Sequence, residues 1–152
     1  MDGLITASDA RVVQRLLGMP ASTRQLLAMD RGFSRTGGIA CGDEVASMLR
    51  KRSDQPISTL ARWIVGRTVV SFEWQSRLLL PLFQFDLSDM SPRLGVVEVI
   101  RELSDAFDDW ELASWFVQPN SWLHGIAPVD AIFTDRPEVL HAARADRFIA
   151  RG

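Results

Sequence analysis

Residues 42–85 read GDEVASMLRKRSDQPISTLARWIVGRTVVSFEWQSRLLLPLFQF, and this stretch decides the fold. Apolar residues recur at helical spacing in Asp43–Leu49 and again in Ile57–Val65, which predicts two short helices. The polar stretch Lys51–Pro56 separates them as a tight turn, and Gly66 stands where a C-terminal cap of the second helix belongs. The inward face of that second helix is expected to hold Ile57, Leu60, Ala61 and Ile64.

A predicted β-hairpin follows the two helices. The β-like runs Thr68–Trp74 and Leu78–Phe85 flank Gln75 and Ser76, and Pro81 indicates that the second strand lies at an edge or is broken there. Two short helices, a tight turn and a hairpin have the layout of a winged helix-turn-helix. The second helix would then enter the major groove of DNA.

This layout predicts a set of DNA-contacting residues that carry hydroxyls and cationic groups suited to phosphates and base edges. A packing unit of two helices with solvated arginines explains the same pattern without DNA. The predicted contacts are Ser58, Thr59, Arg62 and Arg67 on or beside the second helix, Arg50, Lys51 and Arg52 in the turn, and Arg77 at the hairpin tip.

The charge distribution separates two parts of the chain. Residues 1–40 carry five arginines against three acids, and residues 41–80 carry six basic residues against four acids. Residues 81–152 carry six arginines against twelve acids, and the whole chain has a net charge of −2. A basic N-terminal part and an acidic C-terminal part are consistent with one end for nucleic acid and one for a protein partner, or with ordinary surface variation.

Composition indicates a globular protein of the cytoplasm. The 152 residues are 47% hydrophobic and 24% charged, which is enough apolar material for a core. Cys41 is the one cysteine, so no internal disulfide is expected. The first residues lack the basic start of a secretory signal, and no apolar run approaches the roughly 20 residues of a membrane span.

The regions on either side of the winged unit are predicted to be helical. Residues 1–41 form an N-terminal arm with helices beginning at Ser8 and over Arg24–Met29, followed by a glycine-rich loop, Arg31–Gly42. Residues 87–152 form a helical domain. Four helices are predicted in it: one that starts at Ser91-Pro92, Trp110–Val117 after a cap at Asp108 or Asp109, Pro128–Phe133, and one from Pro137 to about Ile149. The last helix is expected to turn Val139, Leu140, Ala143 and Phe148 inward. The fold class is therefore mainly α with a small β-hairpin.

A spaced motif in the C-terminal part carries a family resemblance. It consists of Trp110, Ala113, Trp115, Pro119, Asn120, Leu123, Gly125, Pro128 and Asp130. Physically, Asn120 can cap the turn that ends the buried helix, Gly125 permits a positive φ, and Asp130 suits a helix N-terminus. This run resembles the toxin-binding domain of antitoxins of the Xre/MbcA/ParS type, and Pro81 with Phe83–Asp86 resembles the segment that joins such domains to their helix-turn-helix part.

The resemblance implies a partner. Such domains form homodimers and bind a cognate toxin, often an NAD-consuming toxin of the RES type, and their C-terminal tail reaches the toxin's active site. Carried over, the tail residues Arg144, Arg147, Arg151 and Gly152 are candidate toxin contacts. The winged unit itself is closer to excisionase or MerR-type DNA readers. The expected function is thus an antitoxin that also represses its own operon, and the alternative is a stand-alone regulator or adaptor without a toxin.

Other chemistry-bearing residues form no recognisable site. His124 and His141 are the two histidines and have no ligand spacing, and Cys41 has no paired base. The acidic run Asp105–Glu111 lacks the spacing of a calcium loop, and the tryptophans near it are expected in the core rather than on a nucleic-acid stacking platform. We therefore expect a non-enzymatic protein without cofactor or metal.

Overall fold

The structure, a computed structural model, describes residues 21–151 and is mainly helical with a small antiparallel sheet, as the sequence predicts. The helix predicted from Ser8, and Gly152, lie outside the described residues. The helices are α1 Ala21–Phe33, α2 Gly42–Leu49, α3 Pro56–Val65, α4 Leu94–Leu103, α5 Asp109–Val117, α6 Pro128–Ala131 and α7 Arg136–Arg151. The strands are β1 Ile39–Cys41, β2 Phe72–Trp74, β3 Arg77–Pro81, β4 Phe85–Asp86 and β5 Ser91–Pro92. Within residues 21–151 we find no helix whose length and hydropathy would let it cross a bilayer.

The sheet is the wing, and it has one strand more than predicted. Strands β2 and β3 form the expected hairpin around Gln75 and Ser76, whose φ values of 48° and 62° give the tight turn that matches strand twist. Strand β1 pairs antiparallel with the other side of β3, with Ala40 opposite Leu80. The prediction of a loop over Arg31–Gly42 was therefore wrong for its last residues. Pro81 ends β3, which is the central strand of the sheet rather than an edge.

The order of elements gives the topology of a winged helix. Helix α1 leads into β1, then α2 and α3, then the hairpin β2–β3, with strand order β1-β3-β2. Helices α2 and α3 are joined by the predicted polar turn, residues 50–55. The returning strand β1 ties the start of α2 to the wing, because Gly42 follows Cys41 directly.

Two other element predictions were wrong. Ser91 and Pro92 do not begin a helix; they form β5, which pairs with β4 through Asp86–Ser91 and Phe85–Pro92 partners, and α4 begins at Leu94. Phe148 does not face the core, because its side chain is 80% exposed near the end of α7. Val139 and Ala143 on the same helix are buried as predicted.

Two apolar cores cut across the predicted domain boundaries. One lies under the winged unit and contains Val45, Leu49, Leu60, Leu80 and Phe85, among others. The larger core joins α1, the wing and the C-terminal helices through residues such as Met29, Phe33, Phe72, Ile100 and Phe116. The described part of the N-terminal arm, α1, thus packs with the C-terminal helices, and the β4–β5 pair spans the boundary predicted after residue 86.

The two cores are joined by three consecutive residues, Phe83, Gln84 and Phe85. Phe83 stacks on Phe33 with ring centroids 5.4 Å apart and lies 5.0 Å from Phe116, both in the larger core. Phe85 faces the other way, onto Trp63 of α3 at 6.0 Å. Between them, Gln84 is 1% exposed and fully hydrogen-bonded. Its Oε1 accepts from the Val70 N–H, and its Nε2 donates to the carbonyls of Val70 and Pro81.

Replacing Gln84 is expected to lower the free energy of unfolding substantially. Gln84→Leu keeps the apolar bulk but leaves the Val70 N–H, the Val70 carbonyl and the Pro81 carbonyl buried without their side-chain partner. We expect the free energy of unfolding to fall by about 3 kcal/mol in a denaturant titration. Gln25→Ala, at an exposed position of α1, is the control and should change it by less than about 0.5 kcal/mol. Equal stability of the two variants would contradict the bridging role of Gln84.

Candidate nucleic-acid interface

Helix α3 packs on the rest of the winged unit through one face. Pro56 occupies its first turn, where a missing N–H costs nothing, and the helix contains no acidic residue. Leu60 is 6% exposed and lies in the smaller core, and Trp63 packs on Phe85. The opposite face is open, with Ser58 and Arg62 exposed at adjacent turns as predicted.

Two residues predicted to face inward do not. Ile57 is 72% exposed, and Ala61 is also exposed. The inward face is formed instead by Leu60 with the half-buried Trp63 and Ile64. The predicted helix is present, but its apolar residues are compatible with two inward faces, one that includes Ile57 and one rotated away from it. Only the packing of α3 against the other elements decides which face is buried.

An open groove of about 440 Å³ runs between α3, the start of α2 and the wing. Its α3 wall includes Ile57, Ala61 and Ile64, and its wing wall includes Ser76 and Arg77. Helix α3 and the hairpin tip therefore border one continuous concave surface. That is the placement required of a reading helix and a wing that touch one ligand.

Basic side chains are exposed in the turn before α3 and on the wing. Arg50, Lys51 and Arg52 are exposed in the turn that leads into α3, and Arg77 is exposed at the base of the hairpin turn. Thr59 is turned aside: it is half-buried, and its hydroxyl lies 3.4 Å from that of Ser53. Of the predicted contacts, Arg77 lines the groove itself, Ser58 and Arg62 are exposed on α3, and Arg50, Lys51 and Arg52 are exposed in the turn that precedes α3.

Acidic residues near these basic side chains are partly engaged already. The N–H of Cys41 donates to Glu44 Oε1 at 3.1 Å; this bond and the Cys41 side chain hold the pKa of Glu44 below its ordinary value, and the charge of Arg77 adds to the effect. Hydrogen bonds from the Ser91 hydroxyl and N–H lower the pKa of Asp89, with a smaller contribution from Arg52. Asp43 also borders the groove, so the surface is mixed rather than uniformly cationic.

Arg67 was predicted to face DNA, and the structure corrects this. Its guanidinium donates to the carbonyls of Ser104 and Phe107 and lies 3.2 Å from Asp109, all in the C-terminal part of the chain. Helix α3 ends in a Schellman motif, with Thr68 N–H bonded to Trp63 O and Arg67 N–H to Ile64 O. Gly66 is the C-cap, as predicted, and the left-handed position of the motif, with φ 52°, falls on the next residue, Arg67. Arg67 is a link between the winged unit and the C-terminal helices.

The C-terminal motif is a folded turn locked onto α7. Asn120 is 6% exposed, and its Oδ1 caps the N–H of Trp122, as predicted. Gly125 adopts the predicted positive φ of 84°. Asp146 of α7 accepts three side-chain N–H groups, from Trp115 at 2.8 Å, Asn120 at 3.1 Å and Trp122 at 2.9 Å.

The remaining motif residues pack against the wing or form the turns around α6. Trp110 packs edge-on against Phe72 of the wing, with centroids 5.2 Å apart. Leu123 is buried, Pro128 opens α6, and Asp130 lies in the first turn of α6 as predicted. Pro119 is exposed where α5 ends. The motif therefore shapes the underside of the wing as well as the C-terminal turn.

The arginines of the predicted toxin-contacting tail are bonded within the fold. Helix α7 continues through Arg151, so residues 144–151 are not an extended tail. Arg144 and Arg147 pair with the two oxygens of Glu102 at 3.1 and 2.6 Å, and Arg151 pairs with Asp105 at 3.1 Å. These three residues hold α7 alongside α4, and a role in partner binding would require their ion pairs to open.

In comparisons with known proteins, no family model matched the chain, and neither the curated proteins nor the solved structures gave a match. Among residues 21–151, no three His, Cys, Asp or Glu side chains come together in a way that could hold a metal ion. The candidate interface is accordingly defined by its own geometry.

Substitution at Arg67 separates backbone strain from side-chain bonding. Arg67→Ala removes the donors to Ser104 and Phe107 and keeps a Cβ in the left-handed region, so we expect unfolding free energy to fall by about 3 kcal/mol. Arg67→Gly removes the same bonds but relieves the backbone strain. Its free energy of unfolding should therefore be about 1 kcal/mol higher than that of Arg67→Ala. Denaturant titrations measure both. If both variants kept wild-type stability, Arg67 would not link the two parts of the chain.

Proposed function

We propose that the protein binds duplex DNA through α3 and the wing and acts as a transcriptional repressor of the antitoxin type. The observation that carries the DNA-binding proposal is the winged-helix order of elements together with an open α3 face that carries Ser58 and Arg62 and no acidic residue. Arginine and hydroxyl side chains on such a helix match the donor and acceptor pattern of the major groove. Arg77 at the wing would contact phosphates beside the helix.

The charge of the surface sets the expected strength of binding. Five basic residues are exposed on α3, in the turn before it and on the wing, and four acidic residues of the same unit are exposed as well: Asp43, Glu44, Asp54 and Glu73. Affinity should therefore be modest per site. Two copies in a symmetric homodimer would place two α3 helices on successive turns of a palindrome and multiply that affinity. We place this activity in the cytoplasm, where DNA and a reduced Cys41 are expected.

Neutralising two arginines tests the DNA interface. Arg62→Ala and Arg77→Ala should each weaken binding to the operator by about tenfold, because each removes an exposed cationic contact. Each should also lower the slope of log affinity against log salt by about 0.9 if a phosphate contact is lost. Arg101→Ala, exposed on α4, is the matched control with one charge removed elsewhere. Equal effects of all three variants would reduce the interface to net charge and reject α3 and the wing as readers.

The C-terminal domain is proposed to bind the cognate toxin, of which the RES type is the expected example. The observation that favours a partner here is the unpaired apolar end of α7, where Phe148 is 80% and Ile149 64% exposed. Trp122, 51% exposed, lies next to this end because its indole bonds to Asp146. Since the arginines of α7 hold the fold, these apolar side chains are the better candidates for toxin contact.

Point substitution at the end of α7 tests the toxin proposal. Phe148→Ser should leave folding unchanged, because the side chain is exposed, and should abolish protection of cells that express the toxin encoded beside this gene. Leu94→Ser, 74% exposed on α4, is the matched control and should still protect. Full protection by Phe148→Ser would remove the α7 end from the toxin contact. A tagged chain that brings no neighbouring gene product from its host would instead favour the stand-alone regulator.

A further inference from the structure

An apolar row lies on the exposed face of α3. Ile57 is 72% exposed, Val65 is 84% exposed, and Ala61 is exposed between them, at i, i+4 and i+8 along the helix. Residues at this spacing form one row on a helix surface. At 1.5 Å per residue, the row is about 12 Å long.

This row is unusual for the position it occupies. A solvent-facing helix surface is expected to carry polar residues, yet two large β-branched side chains are left in water here. Ser58 and Arg62 form a polar row directly beside it on the same face. An apolar row edged by a hydroxyl and a guanidinium matches the mixed edge of a DNA base pair better than it matches the apolar face of a protein helix.

The charges around the row select the occupant. Arg50, Lys51 and Arg52 precede α3 and Arg77 faces it from the wing, against the exposed Asp54 in the same turn and Asp43 on the groove wall. Helix α3 itself has no acidic residue. A polyanion such as DNA is therefore favoured over an apolar protein surface as the ligand of this face. In the major groove, the one apolar group on a base edge is the 5-methyl of thymine.

We propose that Ile57, Ala61 and Val65 read thymine methyl groups in the major groove, beside a base or phosphate contact from Arg62. This inference rests on the proposed DNA binding of α3 and adds the class of sequence it recognises. A row of about 12 Å covers three to four base steps of roughly 3.4 Å, so the target should hold consecutive A·T pairs with thymines facing α3. Ala61, the smallest of the three, lets the helix approach the bases closely.

The test compares thymine with deoxyuridine, which lacks only the 5-methyl group. Duplexes are first selected from a random library with the full chain, and the thymines of the selected site are then replaced by deoxyuridine. We expect affinity to fall by about fourfold for each contacted methyl, the effect of one methyl group removed from water. In Ile57→Ser and Val65→Ser the ratio of thymine to deoxyuridine affinity should shrink toward one. Both side chains are exposed, so circular dichroism should show unchanged folding.

Arg62→Ala supplies the matched comparison on the neighbouring row. It should weaken binding to both duplexes and keep the thymine-to-deoxyuridine ratio, because it removes a polar contact only. Equal affinity of the wild-type chain for the two duplexes would overturn methyl reading while leaving DNA binding in place. Failure to enrich any duplex would overturn the proposed function and this inference together, and would leave the row as a surface for a protein.

Discussion

The structure depends on the buried amide of Gln84 and the two phenylalanines beside it. Phe83 enters the larger core and Phe85 the smaller one, so the chain crosses between the cores at Gln84. A buried amide at such a crossing is tolerable only when its groups are bonded, and here both its oxygen and its nitrogen are. Because the amide holds Val70, the segment that follows α3 is tied to the segment that follows the wing.

This connection fixes the orientation of α3 relative to the C-terminal helices. Arg67 adds a second link from the end of α3 to Ser104, Phe107 and Asp109, and accepts a left-handed backbone to do so. Trp110 packs under the wing from α5. The C-terminal helices thus support the wing, and much of their acidic charge is used internally, since Glu98, Glu102 and Asp105 pair with arginines of α7. This ladder pairs four arginines of α7 with three carboxylates, so it does not account for the net negative charge of residues 81–152.

Features set by local chemistry were predictable from the sequence, and features set by distant contacts were not. The caps at Asp108 and Asn120, the positive φ at Gly125 and the hairpin turn depend on neighbouring residues and were correctly predicted. Strand β1 was missed because three residues become a strand only when β3 lies beside them. The C-cap at Gly66 was also correctly predicted, but the left-handed residue after it is Arg67, which bonds to distant carbonyls that no local pattern reveals. The exposed Ile57 was assigned to the core because periodicity alone does not say which side of a helix docks.

The open face of α3, with the wing beside it, is the part of the molecule that we propose meets DNA. The most direct measurement is a nuclear magnetic resonance titration of the isotope-labelled full chain with a selected duplex, followed residue by residue through backbone amide shifts. We expect the largest shift changes in Ile57–Val65 and around Arg77, with α7 unaffected. Changes concentrated on α7 or on the C-terminal turn, with α3 unchanged, would contradict it.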